Sequence, residues 1–272
     1  MLINGKTDSR LSVMDRGVQY GDGVFETIAI TGGLPCLWDR HIQRLLEGCR
    51  RLGFPAPDIN VLFDEAERVI ASADSGVLKI IITRGIGGRG YRPPDEVNPN
   101  RILTCSPAPE FQEDARQRGV AIRTCTNRLG RNASLAGIKH LNRLEQVLAS
   151  REWSDPLISE GLMLDVNGRV IEGIKSNLFI VKEGVLRTPD LMQCGVSGVM
   201  RALVIDIAKS MDVSVVVSDI TMHDLRMADG LFLTNSLIGI WPVRELDGQG
   251  VNSQAVDKQL IETVMEQGFN HG

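Results

Sequence analysis

Two antiparallel hairpins are written out in the sequence together with their turns, and they constrain the fold more than any other feature. Leu162-Met-Leu-Asp-Val166 reaches Asn167-Gly168 and returns as Arg169-Val-Ile-Glu172. Asn-Gly supplies the positive φ angles that a two-residue hairpin turn demands. Leu178-Phe-Ile-Val181 turns at Lys182-Glu-Gly184 into Val185-Leu-Arg187. A helix is expected after Ser197, with Val199, Met200, Leu203, Val204, Ile207 and Met211 on one broad apolar face. Strands Val213–Ser218 and Leu231–Thr234 follow, and an amphipathic helix covers about Ser253–Gln267.

The first part of the chain alternates strands and helices. Val24–Ile30 is β-branched with period two, and Thr31-Gly-Gly33 makes a turn. Asp39 is a plausible N-cap for a helix carrying Ile42, Leu45, Leu46, Cys49 and Leu52, with Gly53 as its stop. A second helix is expected from about Val61 to Ser72. Strands Val77–Thr83 and Ile102–Ser106 flank a Gly- and Pro-rich loop from Gly85 to Asn100. Pro107-Ala-Pro109 and the polar run to Gly119 read as a linker. The expected organisation is α/β (α+β): a smaller domain over residues 1–108, a linker over 109–119, and a larger domain over 120–272 that opens with strand Val120–Thr124.

Composition removes several function classes. The chain has 272 residues, 43% of them hydrophobic, enough for a sizeable core. A net charge of −4 and a pI near 5.7 disfavour nucleic-acid binding. No apolar run approaches a membrane span, and Met1-Leu-Ile-Asn-Gly-Lys6 does not read as a signal peptide. The five cysteines (Cys36, Cys49, Cys105, Cys125, Cys194) form no CxxC pair, so reduced thiols in a cytoplasm are expected. His41, His140, His223 and His271 lack metal-binding spacing.

Five features carry chemistry. Lys139 lies between a loop rich in Gly, Asn and Ser and an apolar helix, where desolvation would favour the neutral amine that forms a Schiff base. Glu172 ends a hairpin strand and is followed by Gly173-Ile-Lys-Ser-Asn-Leu-Phe179. A carboxylate there is able to pair with a protonated pyridine nitrogen, although a strand glutamate is more often a cross-strand ion pair. Gly195-Val-Ser-Gly-Val-Met-Arg201 feeds a helix N-terminus and suits a phosphate; a plain Ser197 N-cap needs the same geometry. Thr234-Asn-Ser236 follows a strand, and its polar groups either finish a phosphate cup or simply turn the chain. Arg44, at the margin of an apolar helix stripe, either reaches inward to an anion or lies on the surface.

The order of these motifs is more specific than any one of them. Gly21-Asp-Gly-Val-Phe-Glu-Thr27, His41-Ile-Gln-Arg-Leu45, Lys139, Glu172 with Ser176-Asn-Leu-Phe179, Ser197-Gly-Val-Met-Arg201 and Thr234-Asn-Ser236 together resemble the fold-type IV pyridoxal-phosphate enzymes. The resemblance runs from about Asn4 to Val243. That family includes branched-chain and D-amino-acid aminotransferases and aminodeoxychorismate lyases. Ile82-Thr-Arg-Gly-Ile-Gly-Gly-Arg-Gly-Tyr91 and the stretch Leu129–Val147 are most similar to the lyase branch.

The resemblance implies a D-amino-acid-aminotransferase-like fold, pyridoxal 5'-phosphate as cofactor, and a homodimer. It implies Lys139 as the Schiff-base lysine and Glu172 as partner of the pyridine nitrogen. Arg44, Gly198, Val199, Asn235 and Ser236 would hold the phosphate, and Ser176 and Asn177 would line the cofactor edge. Arg89, Tyr91 and Tyr20 would bind substrate, with Arg89 and Tyr91 reaching a substrate carboxylate; Tyr20 and the Gly85–Tyr91 loop would lie near a dimer interface, and Thr27 would offer a catalytic hydroxyl. The implied reaction converts 4-amino-4-deoxychorismate to 4-aminobenzoate and pyruvate; a branched-chain or D-amino-acid aminotransferase of the same fold is the alternative, and a non-catalytic α/β binding protein, which would be expected to lack Lys139 or Glu172, is the third reading.

Overall fold

The computed structural model describes residues 1–7, 10–71, 73–111 and 114–269. Ser72 of the expected second helix, Gln112 and Glu113 of the expected linker, and His271 lie outside the described residues. The chain divides into two compact units. One comprises Met1–Pro109, Ile138–Asn142 and Phe269–Gly272; the other comprises Glu110–Gly137 and Arg143–Gly268.

The first unit contains β1 (Leu2–Ile3), α1 (Arg16–Tyr20), β2 (Gly23–Thr31), β3 (Leu34–Pro35), α2 (Trp38–Leu52), α3 (Ile59–Ile70), β4 (Ser75–Thr83) and β5 (Asn100–Ser106). Its strands form an antiparallel sheet in the order β1-β5-β4-β2-β3. Successive strand residues point to opposite faces. Val24, Ile28 and Ile30 of β2 therefore share one face, where they pack with Leu45, Cys49, Leu62 and Ala66 from the helices. Glu26 is on that same helix-covered face, whereas Phe25 and Thr27 point to the other.

Helix α2 corrects one expectation. Its N-cap is Leu37, in the left-handed region at φ 51° and without a side-chain cap bond, not Asp39. Asp39 lies within the first turn, where a carboxylate is favoured by the positive end of the helix dipole. Gly53 does end the helix, at φ 70°, with its N–H on the Arg50 and Cys49 carbonyls. Helix α3 begins two residues earlier than expected because Asp58 caps it, accepting from the amides of Asn60 and Val61.

The second unit contains α4 (Ala115–Arg118), β6 (Val120–Leu129), α5 (Leu144–Ser150), β7 (Ile158–Asp165), β8 (Val170–Gly173), β9 (Asn177–Lys182) and β10 (Val185–Pro189). It continues with α6 (Val199–Ser210), β11 (Val215–Ser218), α7 (Met222–Arg226), β12 (Gly230–Asn235), β13 (Gly239–Leu246), β14 (Gln249–Gly250) and α8 (Lys258–Phe269). The sheet order is β11-β10-β9-β12-β13-β6-β7-β8, with β14 beside β13. Both expected hairpins form. β7 and β8 pair antiparallel with Met163 opposite Glu172. β9 and β10 turn through Glu183 and Gly184, both at positive φ (51° and 75°). The core joins Leu162, Leu178, Ile180, Leu231, Leu233 and Val243.

Several boundaries differ from expectation; β11 starts at Val215 rather than Val213, and Met211 is the C-cap of α6 rather than part of its face. β6 runs to Leu129, past the expected end at Thr124, through a bulge between Thr124 and Arg128. The Glu152 carboxylate accepts from the Thr126 and Asn127 amides there, at 2.6 and 2.7 Å, so the irregular stretch keeps its donors satisfied. Gly198, not Ser197, is the cap residue of α6. The terminal helix starts at Lys258 after a separate 3-10 turn over Ser253–Ala255, because Asp257 accepts from the amides of Gln259 and Leu260 and restarts the helix. Among the described residues no helix is long and apolar enough to cross a membrane. All five cysteines are free thiols, and burial pushes Cys49, Cys125 and Cys194 up to about 12. Those three are inert as nucleophiles near neutrality.

Candidate active site

In the first unit the backbone of Lys139 is held against β2. The Phe25 amide donates to the Lys139 carbonyl at 2.9 Å, and the Leu141 amide donates to the Gly23 carbonyl at 3.0 Å. The half-buried Lys139 places its Nζ 4.4 Å from the centroid of the Phe25 ring. An ammonium over an aromatic face is attracted by the ring quadrupole, which restrains a long side chain that is otherwise mobile. Lys79 Nζ lies 5.5 Å from the same ring, and Lys79 sits opposite Thr27 in the β2–β4 register. Phe25, Thr27, Lys79 and Lys139 thus gather on or beside the sheet face that the helices do not cover.

On the covered face Glu26 is fully buried and is gripped by two partners from α2. Arg44 Nε donates to Glu26 Oε1 at 2.8 Å, and Arg44 Nη2 donates to Oε2. His41 Nδ1 lies 2.7 Å from Glu26 Oε2. Burial alone would push the Glu26 carboxyl up, but the charges and hydrogen bonds of Arg44 and His41 outweigh it and hold the group at about 2. Burial also pulls His41 below its ordinary value, against the raising effect of Glu26. Arg44 does reach inward from the stripe margin, and the anion it meets there is Glu26.

A second polar network ties the ends of the Gly85–Tyr91 loop. Arg16 donates to Asp22 and to the Gly90 and Tyr91 carbonyls, while Arg84 donates to Asp22 and to the Leu52 and Gly53 carbonyls. Tyr20 and Tyr91 meet edge to face with centroids 5.5 Å apart, and Arg89 is exposed. The structure therefore brings Tyr20 and Tyr91 together, with Arg89 two residues before Tyr91.

In the second unit Glu172 is 4% exposed. Its Oε2 accepts from the Val196 amide at 2.8 Å and from Asn177 Nδ2 at 3.4 Å. Asn177 Nδ2 also donates to the Val196 carbonyl. Ser176 donates through its hydroxyl to Glu160, a second buried carboxylate that also accepts from the amides of Gly161 and Lys175. The Glu172 carboxylate, Ser176 and Asn177 are thus fixed by the chain on both sides of the β8–β9 turn.

Helix α6 begins directly after Gly198 with no side-chain cap, so its first amides lack the partner that a Ser or Asp would supply. A methyl on Gly198 would overlap Asn177 Oδ1, so the close approach of α6 to β9 requires glycine there. Upstream, the Gly137 amide donates to the Gly195 carbonyl and the Ser197 amide donates to the Gly137 carbonyl, fixing the chain two residues before Lys139. Arg201 supports the turn from below, donating to Thr188 and to the Pro189 carbonyl. Asn235 closes a turn: its Oδ1 accepts from the Leu237 and Ile238 amides, and its Nδ2 donates to the Lys175 carbonyl. Ser236 follows it, half-buried.

Sequence reading missed Glu26, Lys79, Arg16 and Glu160. Glu26 had a signal, because period two puts it on the face of Val24 and Ile28, where an unpaired carboxylate would be too costly. Lys79, Arg16 and Glu160 had none, since their neighbours come from distant parts of the chain.

With this geometry described, similarity to known proteins becomes informative. The family profile for amino-transferase class IV matches residues 23–246. The chain is 38% identical to the aminodeoxychorismate lyase of Vibrio harveyi, over 89% of each chain. It is 35% identical to a putative branched-chain-amino-acid aminotransferase of Methanocaldococcus jannaschii, over 93% of this chain and 90% of that one. Its fold matches the crystal structure of 4-amino-4-deoxychorismate lyase from Pseudomonas aeruginosa with a TM-score of 0.92, at 48% identity and 97% coverage of both chains. The branched-chain amino acid aminotransferase of Escherichia coli matches with a TM-score of 0.84 at 28% identity, over 97% of this chain and 91% of that one. The two curled sheets and their helices are the fold-type IV architecture, and the chain belongs to the class IV aminotransferase family.

Proposed function

We propose that this chain is a pyridoxal-phosphate-dependent lyase that converts 4-amino-4-deoxychorismate to 4-aminobenzoate and pyruvate, a step of folate biosynthesis. The observation that carries the reading is the 48% identity, over 97% of both chains, with the lyase of Pseudomonas aeruginosa, against 28% with an aminotransferase of matching fold. The residues fit the cofactor: a restrained amine is the nucleophile an aldehyde requires, a buried carboxylate the acceptor for a protonated pyridine nitrogen, and an uncapped helix N-terminus the donor set for a phosphate.

When bound, pyridoxal phosphate supplies an electron sink for the charge left by proton removal. Lys139 would hold the cofactor through its carbonyl carbon, and its amine would take the proton from ring C4 of the substrate. Glu172, held by the Val196 amide and Asn177, would pair with the pyridine nitrogen and favour its protonated form. Arg44, the Gly198–Val199 amides, Asn235 and Ser236 hold the phosphate, with Glu26 fixing the Arg44 guanidinium. Ser176 and Asn177 line the cofactor edge. Arg89, Tyr91, Tyr20 and Lys79 receive the two substrate carboxylates. Thr27 gives a proton to the departing enolpyruvyl group as its C–O bond breaks. The ring becomes aromatic, the proton lost at C4 is balanced by the one gained by pyruvate, and no oxidant is needed.

The protein works as a cytoplasmic homodimer in this reading, with no membrane or nucleic-acid partner. Exposed apolar side chains support the dimer: Val13, Val18, Ile86 and Tyr91 in the first unit, and Leu144, Val147 and Leu148 in the second. The free thiols fit a reducing compartment. A branched-chain or D-amino-acid aminotransferase is the second reading, favoured by the 35% identity to the Methanocaldococcus protein. It would use the same cofactor residues and differ at the substrate loop. Incubation of the cofactor-loaded protein with branched-chain and D-amino acids plus 2-oxoglutarate separates the two. Keto-acid formation at enzymatic rates would establish the aminotransferase; its absence is the result expected of a lyase.

A further inference from the structure

We propose that Arg16 is a positioning residue for the substrate loop, holding Gly85–Tyr91 so that Arg89 and Tyr91 are presented to substrate carboxylates. The proposal rests on the role given above to Arg89 and Tyr91. It is carried by contacts at both ends of the loop. At the start, the Arg16 amide donates to the Gly85 carbonyl at 2.9 Å, and Asp15 forms an antiparallel bridge with Ile86. At the far end, Arg16 Nη1 donates to the Gly90 carbonyl at 3.1 Å and Nη2 to the Tyr91 carbonyl at 2.8 Å.

The clamp is itself anchored. Arg16 is 3% exposed, and its Nε donates to Asp22 at 2.9 Å. Asp22 also receives Arg84, whose other donors hold the last carbonyls of α2. Burial would raise the Asp22 carboxyl, but the two arginines prevail and keep it low, so the anchor stays charged. The Arg16 guanidinium also lies 4.9 Å from the Tyr20 ring centroid, and the Tyr20 ring meets Tyr91. Arg16 therefore acts through the loop: its Nε, Nη1 and Nη2 each commit an N–H, to Asp22, Gly90 and Tyr91 respectively. Its planar fork reaches two carbonyls and a carboxylate at once, which a lysine ammonium does not reproduce.

The loop sequence carries a matched pair of controls. A methyl on Gly87 would sit 2.5 Å from Arg16 Cδ, whereas a methyl on Gly88 would meet no atom within 4 Å. Gly87→Ala should thus press the loop off the clamp with Arg16 intact, and it serves if Arg16→Lys does not fold. The experiment measures amide hydrogen exchange over residues 85–92 in the holoenzyme, together with kcat and KM for 4-amino-4-deoxychorismate. Arg16→Lys and Gly87→Ala should each speed exchange in the loop and raise KM about tenfold, the scale of one lost charge-assisted hydrogen bond. In both, kcat should stay within about twofold and cofactor affinity should match wild type. Gly88→Ala should exchange like wild type. Unchanged loop exchange in both test variants would overturn the clamp. Faster exchange with an unchanged KM would overturn its role in substrate positioning. A wild-type holoenzyme that makes no 4-aminobenzoate would defeat the substrate reading, and exchange alone would then decide the clamp.

Discussion

Glu26 and Glu172 are both buried carboxylates, but their surroundings give them different work. Glu26 faces a guanidinium and an imidazole and is spent on holding Arg44 and His41. Glu172 accepts from the Val196 amide and the Asn177 side-chain amide on the other unit, with no guanidinium clasping it as Arg44 clasps Glu26 in those contacts. Glu26→Gln should cost roughly 3–5 kcal/mol, because it strands a buried arginine without its counter-charge. A urea midpoint equal to wild type would show that the network holds nothing. Glu172→Gln should keep cofactor yet slow turnover by about a hundredfold or more; an unchanged kcat would remove Glu172 from the chemistry. The sequence made these roles unequally legible. Glu172 stood in a motif whose order pointed to it, whereas the partnership of Glu26 depends on how α2 docks on β2, which local pattern does not encode.

At the scale of elements, structure determined by neighbouring residues was readable and structure determined at a distance was not. Both hairpins form, because turn chemistry is local; Glu183-Gly184 makes its two-residue turn, whereas the Asn167-Gly168 turn is a three-residue loop between Asp165 and Arg169 in which Gly168 but not Asn167 takes positive φ. The extension of β6 to Leu129 escaped reading, since the carboxylate that satisfies its bulge comes from Glu152, far along the chain. Helix starts shifted for a related reason: several residues near a helix end are able to cap it, and packing selects one. The uncapped start of α6 has a direct test. Gly198→Ala forces the first turn away from Asn177, so cofactor affinity should fall about tenfold or more, with the apolar face of α6 still packed. Equal cofactor binding in a spectroscopic titration would separate that helix start from the phosphate.

For the whole molecule, the buried charges set the acid limit of stability. Glu26 is held near 2 in the fold against an ordinary 4.5. Its contribution is complete above about pH 4.5 and is lost as pH falls toward about 2, because the unfolded chain binds the proton first. His41, depressed chiefly by burial, adds a loss that begins below its ordinary 6.5. The urea midpoint should therefore decline gently below pH 6.5 and steeply below 4.5, and Glu26→Gln should flatten the steep part. An identical slope in that variant would assign acid lability elsewhere. The broad α/β character and the family were legible from the order of motifs along the chain; the clamp on the substrate loop was not, because it joins Arg16 to residues some seventy positions away. The central claim is tested most directly by supplying 4-amino-4-deoxychorismate to the cofactor-loaded protein and quantifying 4-aminobenzoate and pyruvate together. Equal amounts of both, abolished by Lys139→Ala, are expected. Cofactor-loaded protein that yields neither product, or a Lys139→Ala variant that still turns over, would contradict the account.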